Sequence, residues 1–140
     1  MDNYRGDYYD WLLTTALAVE DARFEDIDRF QLAEELRDMG RAERRGLRSQ
    51  IERIMVHLLK IRCQPLRHGR SWDVSIDDAR LQISEGLEDS PSLRREIPEL
   101  MERAYRHARN QAAIETGLDP KAFPEECPFS MAEVLGGGAE

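Results

Sequence analysis

The sequence predicts a single all-α domain, a helical bundle with about five main helices arranged around a central one. Apolar residues recur at spacings of three and four along most of the chain, and no stretch alternates as a half-buried strand does. Proline and helix-capping residues separate these stretches. A chain of 140 residues is one domain in size and can bury roughly 68–70 % of its unfolded surface. We expect the domain to span residues 1–135, with a flexible tail at 136–140.

The central helix is predicted at about residues 41–64 and is the most apolar part of the chain. Met55, Val56 and Leu59 make its middle apolar on almost every side, and a helix of that kind is covered by neighbours on more than one side. Pro65 ends it. Its main stripe has alternating spacings of four and three: Leu47, Ile51, Ile54, Leu58 and Ile61.

Two helices are predicted before the central one. The first runs from Tyr8 to Ala22 with Asp7 as its N-cap, and the second follows Asp28. Gly40 either ends the second helix or kinks it into the central helix, and the sequence leaves both readings open. The predicted inward residues are Tyr9, Leu12, Leu13, Ala16 and Leu17 in the first helix, and Phe30, Ala33, Leu36 and Met39 in the second.

The second half of the chain is predicted to hold two long helices and short pieces. One helix starts just after Ser71, with Ser75 as a competing later start, and a short helix from Pro91 is interrupted by Pro98. The next helix runs from Pro98 to Thr116, and Ser130 begins a short docked C-terminal helix. The inward stripes are Trp72, Ile76, Ala79, Ile83 and Leu87, and then Leu100, Met101, Ala104, Ala108 and Ala112.

Charge is strongly segregated along the chain. Residues 1–40 carry a net charge of −7, residues 41–70 a net charge of +7, and residues 71–140 a net charge of −8. The simplest explanation is internal, with the basic central helix lying between acidic helices and pairing with them. The alternative is a basic face left open for a phosphate-bearing partner.

Several segments occur in a distinctive order: MGRAERRGLRSQIERIMVHLLKIRCQP, GRSW, EDSPSLR, ETGL and FPEECP. Together they closely resemble the small bacterial proteins known as domain of unknown function, family twenty-nine, from about Tyr8 to Leu135. The resemblance implies an all-helical fold and a bacterial source. It implies no activity, substrate, cofactor or catalytic residue.

A polar cluster around the central helix is the candidate for a structural or binding role. Glu125 and Glu126 are predicted to reach back to Arg44, Arg45 or Arg70 and so clamp the C-terminal segment, because arginine suits bidentate pairing with a carboxylate. The full candidate set is Arg41, Arg44, Arg45, Arg48, His57, Arg70, Trp72, Glu125 and Glu126.

The predicted function is that of a non-catalytic protein-interaction or regulatory module, without a cofactor, with an unidentified protein partner and with self-association left open. No catalytic motif or glycine-rich phosphate loop is present. One alternative is nucleic-acid binding through the arginines of the central helix and nearby loop, with Trp72 as a stacking platform. A second is a metal-dependent hydrolase with carboxylates from Glu34 and Glu35 and from Asp77, Asp78 or Glu85.

The expected location is the cytoplasm. Cys63 and Cys127 are too few for a disulfide framework, and we predict that both are reduced packing residues. The first ten residues are acidic and aromatic, unlike a signal peptide, and no apolar run approaches the roughly 18–20 residues of a membrane span.

Overall fold

The computed structural model describes residues 6–136, and this part of the chain contains helices and no strand. The prediction of an all-α fold is confirmed. Short 3₁₀ turns at Phe24–Asp26, Pro65–Arg67, Pro91–Glu96 and Pro120–Ala122 connect the α-helices. The helices are α1 (Tyr8–Glu20), α2 (Arg29–Cys63), α3 (Arg70–Asp89), α4 (Ile97–Thr116) and α5 (Met131–Leu135).

The chain divides into two compact units, Met1–Ala42 and Glu43–Glu140. We call them the first unit and the second unit. One domain over residues 1–135 stays a prediction. Residues 137–140 of the predicted flexible tail lie outside the described residues, whereas Gly136 is described and ends α5 with a left-handed φ of 98°.

Helix α2 resolves the question that Gly40 leaves open, because it is continuous from Arg29 to Cys63. It therefore begins about one dozen residues before the predicted central helix at about 41–64. The Asp28 carboxylate accepts a hydrogen bond from the backbone N–H of Gln31 at 3.1 Å, as an N-cap does. A glycine inside a helix costs about 1 kcal/mol relative to alanine. A helix of 35 residues tolerates that cost at Gly40.

The first unit differs from its prediction in which helix faces it buries. Trp11, Thr15 and Ala18 are the buried residues of α1, and they lie almost opposite the predicted stripe. Helix α1 is apolar on both faces, so periodicity does not decide between them, and the bulky indole of Trp11 takes the inside. The predicted inward residues that are instead exposed are Tyr9, Leu12, Leu13, Ala16, Leu17, Phe30, Leu36 and Met39.

The second unit buries the stripes that the sequence predicts for it. Ile51, Ile54 and Leu59 of α2 are fully buried, and Leu58 and Ile61 pack partly buried against them. Trp72 is half-buried rather than part of the core. From α3 and α4 the core receives chiefly Ile76, Ala79, Ile83, Leu87, Leu100, Met101, Ala104, Ala108 and Ala112.

The helix boundaries of the second unit follow the predicted capping residues with two corrections. Helix α3 starts at Arg70, before both predicted starts. Pro98 does not interrupt a helix but lies in the first turn of α4, where its missing N–H costs no hydrogen bond. Gly117 ends α4 with φ 76°, and Ser130 forms the predicted capping box with Glu133.

None of the helices within residues 6–136 combines the length and the apolar character that crossing a bilayer requires.

Candidate interaction surface

Two arginines of α2 within the second unit pair with carboxylates that lie outside α2. Arg44 donates to Glu96 through Nε at 2.9 Å and to Glu99 through Nη2 at 2.7 Å. Arg53 Nη1 lies 2.7 Å from the Asp78 carboxylate. The internal pairing that the charge segregation predicts is therefore present at these residues.

The other candidate arginines behave differently from one another. Arg41 pairs within the first unit, with Asp38 and with Glu34 at 3.8 Å. Arg48 pairs with Glu52, with Nε 3.2 Å from Oε2. The exposed side chains of Arg45 and Arg70 have no carboxylate partner in residues 6–136.

The predicted clamp through Glu125 and Glu126 is wrong. Both side chains are exposed and form no ion pair in the described part of the chain, and Arg44 is occupied by α4 and the turn before it. The C-terminal segment is instead held through its backbone carbonyls. The Tyr105 hydroxyl donates to Pro124 O at 2.5 Å, and Arg80 donates to Glu133 O at 2.7 Å and Val134 O at 3.0 Å.

Two of the nine candidate residues, His57 and Trp72, are in contact. Their rings meet edge to face with centroids 6.5 Å apart, and the ring of His68 stacks on Trp72 at 6.1 Å. Lys60 Nζ lies 4.8 Å from the Trp72 centroid. These neighbours compete with any base for the indole faces, which weakens the case for Trp72 as a stacking platform.

Lys60 connects this aromatic cluster to α4, and the sequence contains no signal for that contact. Its ammonium lies 2.8 Å from Glu115 Oε1, 55 positions later in the chain. Hydrogen bonds from Lys60 and from Gln111 hold the pKa of Glu115 below its ordinary value. Carboxylates are common on exposed helix faces, so sequence spacing does not distinguish Glu115 from the others.

Because the folded-state pKa of Glu115 is lowered, its contribution to stability is complete above the ordinary carboxyl pKa of 4.5 and is lost as the pH falls through the lowered value. We expect Glu115→Gln to reduce the free energy of unfolding by about 0.2–1 kcal/mol at pH 7, typical of a partly exposed pair. Urea denaturation of the wild type and of Glu115→Gln from pH 7 down to about pH 3 should show that the difference between their free energies of unfolding shrinks as the pH falls. Glu102→Gln, an exposed change on the same helix, should show no such trend, and a difference that grows toward acid would contradict the assignment.

The carboxylates of the metal-dependent hydrolase alternative do not form a metal-ligating cluster in the described part of the chain. Within residues 6–136 no group of three or more His, Cys, Asp or Glu side chains is arranged to hold a metal ion. Cys63 and Cys127 are free and pack partly buried against the core, as predicted for packing residues. Burial raises the pKa of the Cys127 thiol, and the charge of Glu133 adds to the shift.

The first unit exposes an apolar helix face. Among its 13 residues, α1 has two charged ones, Asp10 and Glu20, and buries only one of its two apolar faces. Large exposed apolar side chains are concentrated in residues 8–39 and are sparse in the rest of the described chain. We call the exposed apolar face of α1 the apolar surface; its large side chains are Tyr9, Leu12, Leu13 and Leu17.

An open groove of about 680 Å³ adjoins this surface at the turn between α1 and α2. Leu17, Ala18 and Ile27 supply its apolar lining. The groove is also lined by acidic residues, namely Glu25, Asp26 and Asp28, and by Arg23, whose guanidinium pairs with Asp21 and Asp26. The groove therefore combines apolar contact with a surplus of negative charge.

Comparison with family models shows which family the chain belongs to. The model of the family described as "Domain of unknown function DUF29" matches residues 3–137. The chain belongs to this family. The DUF29 match includes residues of both compact units, so the apolar surface and the core of the second unit both lie in the region that matches the family. Searches of curated proteins and of solved structures each found no match.

Proposed function

We propose that this DUF29 chain is a non-catalytic protein-interaction module whose binding site is the apolar surface of the first unit. The observation that carries the proposal is α1, which is apolar on two opposite faces and buries one of them with Trp11, Thr15 and Ala18. A helix that is apolar all round is normally covered on more than one side. Contiguous exposed apolar patches on soluble proteins mark interaction sites.

The charge around the surface indicates the chemistry of the partner. Residues 1–40 carry a net charge of −7, and the adjoining groove is lined by Glu25, Asp26 and Asp28. A partner with an apolar face edged by lysine or arginine side chains complements both features. A second copy of the chain would bring two acidic surfaces together, which disfavours self-association through this face.

Leu13→Gln/Leu17→Gln tests the proposal without changing charge or helix propensity, since leucine and glutamine favour helices about equally. The matched control is Leu66→Gln/Leu81→Gln, which changes two exposed leucines of the second unit. We expect a host protein that the wild-type chain captures to bind the control variant with the same affinity. It should bind Leu13→Gln/Leu17→Gln at least about tenfold more weakly, a loss of about 1.4 kcal/mol in binding free energy.

The captured protein must also bind the wild-type chain when both are purified, and this binding must weaken at high salt. The segment that binds must be basic and apolar. Equal binding by all three proteins would overturn the proposal. A wild-type dimer in light scattering that Leu13→Gln/Leu17→Gln abolishes would replace the basic partner with a second copy.

We further propose that the protein acts in the cytoplasm, since both cysteines are free thiols. The nucleic-acid alternative retains Arg45, Arg67 and Arg70, whose exposed side chains have no carboxylate partner in the described residues. A salt-dependent gel shift at low ionic strength would support it. The absence of any shift would remove it.

A further inference from the structure

One edge of α4 is cationic and faces a surface cavity in the second unit. Arg103, Arg106, His107 and Asn110 follow one another at spacings of three, one and three, which places them on the same side of the helix. With Arg48 of α2 they line a cavity of about 400 Å³. Each of these five side chains can donate hydrogen bonds, and no carboxylate lines the cavity.

The arginines of this cavity have spare donors, and they are brought together around one space. Arg103 and Arg106 are exposed and form no ion pair or hydrogen bond with any residue from 6 to 136. Arg48 Nε is shielded from solvent, yet its approach to Glu52 at 3.2 Å does not have hydrogen-bond geometry. Arg103 and Arg106 have no carboxylate partner within residues 6–136 and Arg48 has one, Glu52, so the cavity has a surplus of positive charge that a bound anion would offset.

The number and type of donors indicate a phosphoryl group. Guanidinium groups bind phosphate through two parallel hydrogen bonds, and a phosphomonoester brings three terminal oxygens with a charge of about −1.5 to −2. A carboxylate has two oxygens and a single charge, too few for three guanidinium groups. His107 and Asn110 add further donors from the same helix edge.

A second cavity, of about 440 Å³, shares His107 and Asn110 with the first. Val56, Ala108 and Ile114 give it an apolar lining, and its charged lining consists of Glu52, Glu115 and Arg53. The two carboxylates disfavour a second negative group there. The adjoining space therefore suits an uncharged organic body, and each cavity is of a size seen in small-molecule sites.

We propose that Arg48, Arg103 and Arg106 bind the phosphoryl group of a small phosphomonoester whose uncharged body occupies the adjoining cavity. The site lies wholly in the second unit. It is independent of the apolar surface, so either proposal can fail without the other.

The test uses the full chain, with inorganic phosphate as the first probe and amide chemical shifts at low ionic strength as the readout. Arg103→Gln/Arg106→Gln removes two donors from exposed helix positions where glutamine preserves the helix. Arg67→Gln/Arg70→Gln removes the same charge from exposed residues outside both cavities. We expect wild type and the control to bind phosphate alike, with shifts in residues 103–110, and the cavity variant to bind at least about tenfold more weakly.

The second arm compares inorganic phosphate with adenosine 5′-monophosphate, glucose 6-phosphate and glycerol 3-phosphate. At least one of these esters should bind wild type more tightly than phosphate does, with added shifts at Ala108 and Ile114. The proposal is overturned if wild type does not bind phosphate at about 10 mM, a concentration at which weak phosphate sites are occupied, or if the cavity variant binds it equally. If no ester binds more tightly than phosphate, the adjoining cavity does not hold the body of the ligand.

Discussion

Trp11→Ala is expected to unfold the first unit while the second unit stays folded. Trp11 is 1 % exposed and is the largest fully buried side chain of that unit. Replacing a buried tryptophan by alanine costs about 3–5 kcal/mol. Within residues 6–42, the other buried side chains are Thr15, Ala18 and Glu35. Units near 40 residues have little stability to spare. The free energy lost in Trp11→Ala should therefore exceed the free energy of unfolding of the first unit.

Native-state hydrogen exchange measures this effect residue by residue. Amides of residues 8–20 should lose their protection in Trp11→Ala, because an isolated helix of about 13 residues is marginal in water. Amides of Ile51, Ile54 and Leu59 should keep theirs. Leu13→Ala is the control on the same helix, since Leu13 is exposed and surface changes stay within about 0.5 kcal/mol. Simultaneous loss of protection in both units would show that they unfold as one, contrary to the prediction.

Leu59→Ala should destabilise the second unit by about 2–5 kcal/mol, the range for deleting a buried leucine side chain. Leu59 is 0 % exposed and belongs to the same buried cluster as Ile54, Ala104 and Ala108. Three alanines of α4 without accessible surface indicate close packing in this cluster. Alanine side chains have no rotamers to change, so the alanines of this cluster cannot move to fill the cavity that Leu59→Ala leaves.

Urea denaturation should show a lower midpoint for Leu59→Ala with an unchanged slope, as a change in stability without a change in exposed area requires. Leu66→Ala is the matched control, because Leu66 is fully exposed. Its midpoint should be that of the wild-type protein. Equal midpoints for Leu59→Ala and Leu66→Ala would mean that Leu59 is not part of a tightly packed core.

The two proposed sites place different chemistry on the two units. The apolar surface with its acidic groove faces a basic, apolar partner, whereas the guanidinium cavity of the second unit faces a phosphoryl group. Because the Leu13→Gln/Leu17→Gln and Arg103→Gln/Arg106→Gln variants lie in separate units, their effects on binding can be measured independently.

Local sequence information was sufficient for several helix ends and for most of the core of the second unit. The caps at Asp7, Ser130 and Gly117 and the stop at Pro65 depend on a few neighbouring residues, and the structure has each of them as predicted. Helices α3 and α4 each have one apolar face, so periodicity alone selects the inside. The order of the distinctive segments was sufficient to predict the family to which the chain belongs.

Long-range structure decided the candidate sites. Arg44 has carboxylates at many sequence distances, and only the fold selects Glu96 and Glu99, 52 and 55 positions away, over Glu125 and Glu126. Arg103 and Arg106 look like ordinary exposed helix residues until α2 brings Arg48 to the same cavity.

What the sequence by itself determined is where most of the chain is helical, which residues cap several of its helices, how its charge is divided and which family it belongs to. The tertiary structure decided which face of α1 is buried, which ion pairs form and where donors are left without acceptors. The physical reason is that capping and periodicity act over a few residues. The choice between two apolar faces, or among many equivalent carboxylates, depends instead on which distant residues the fold brings together.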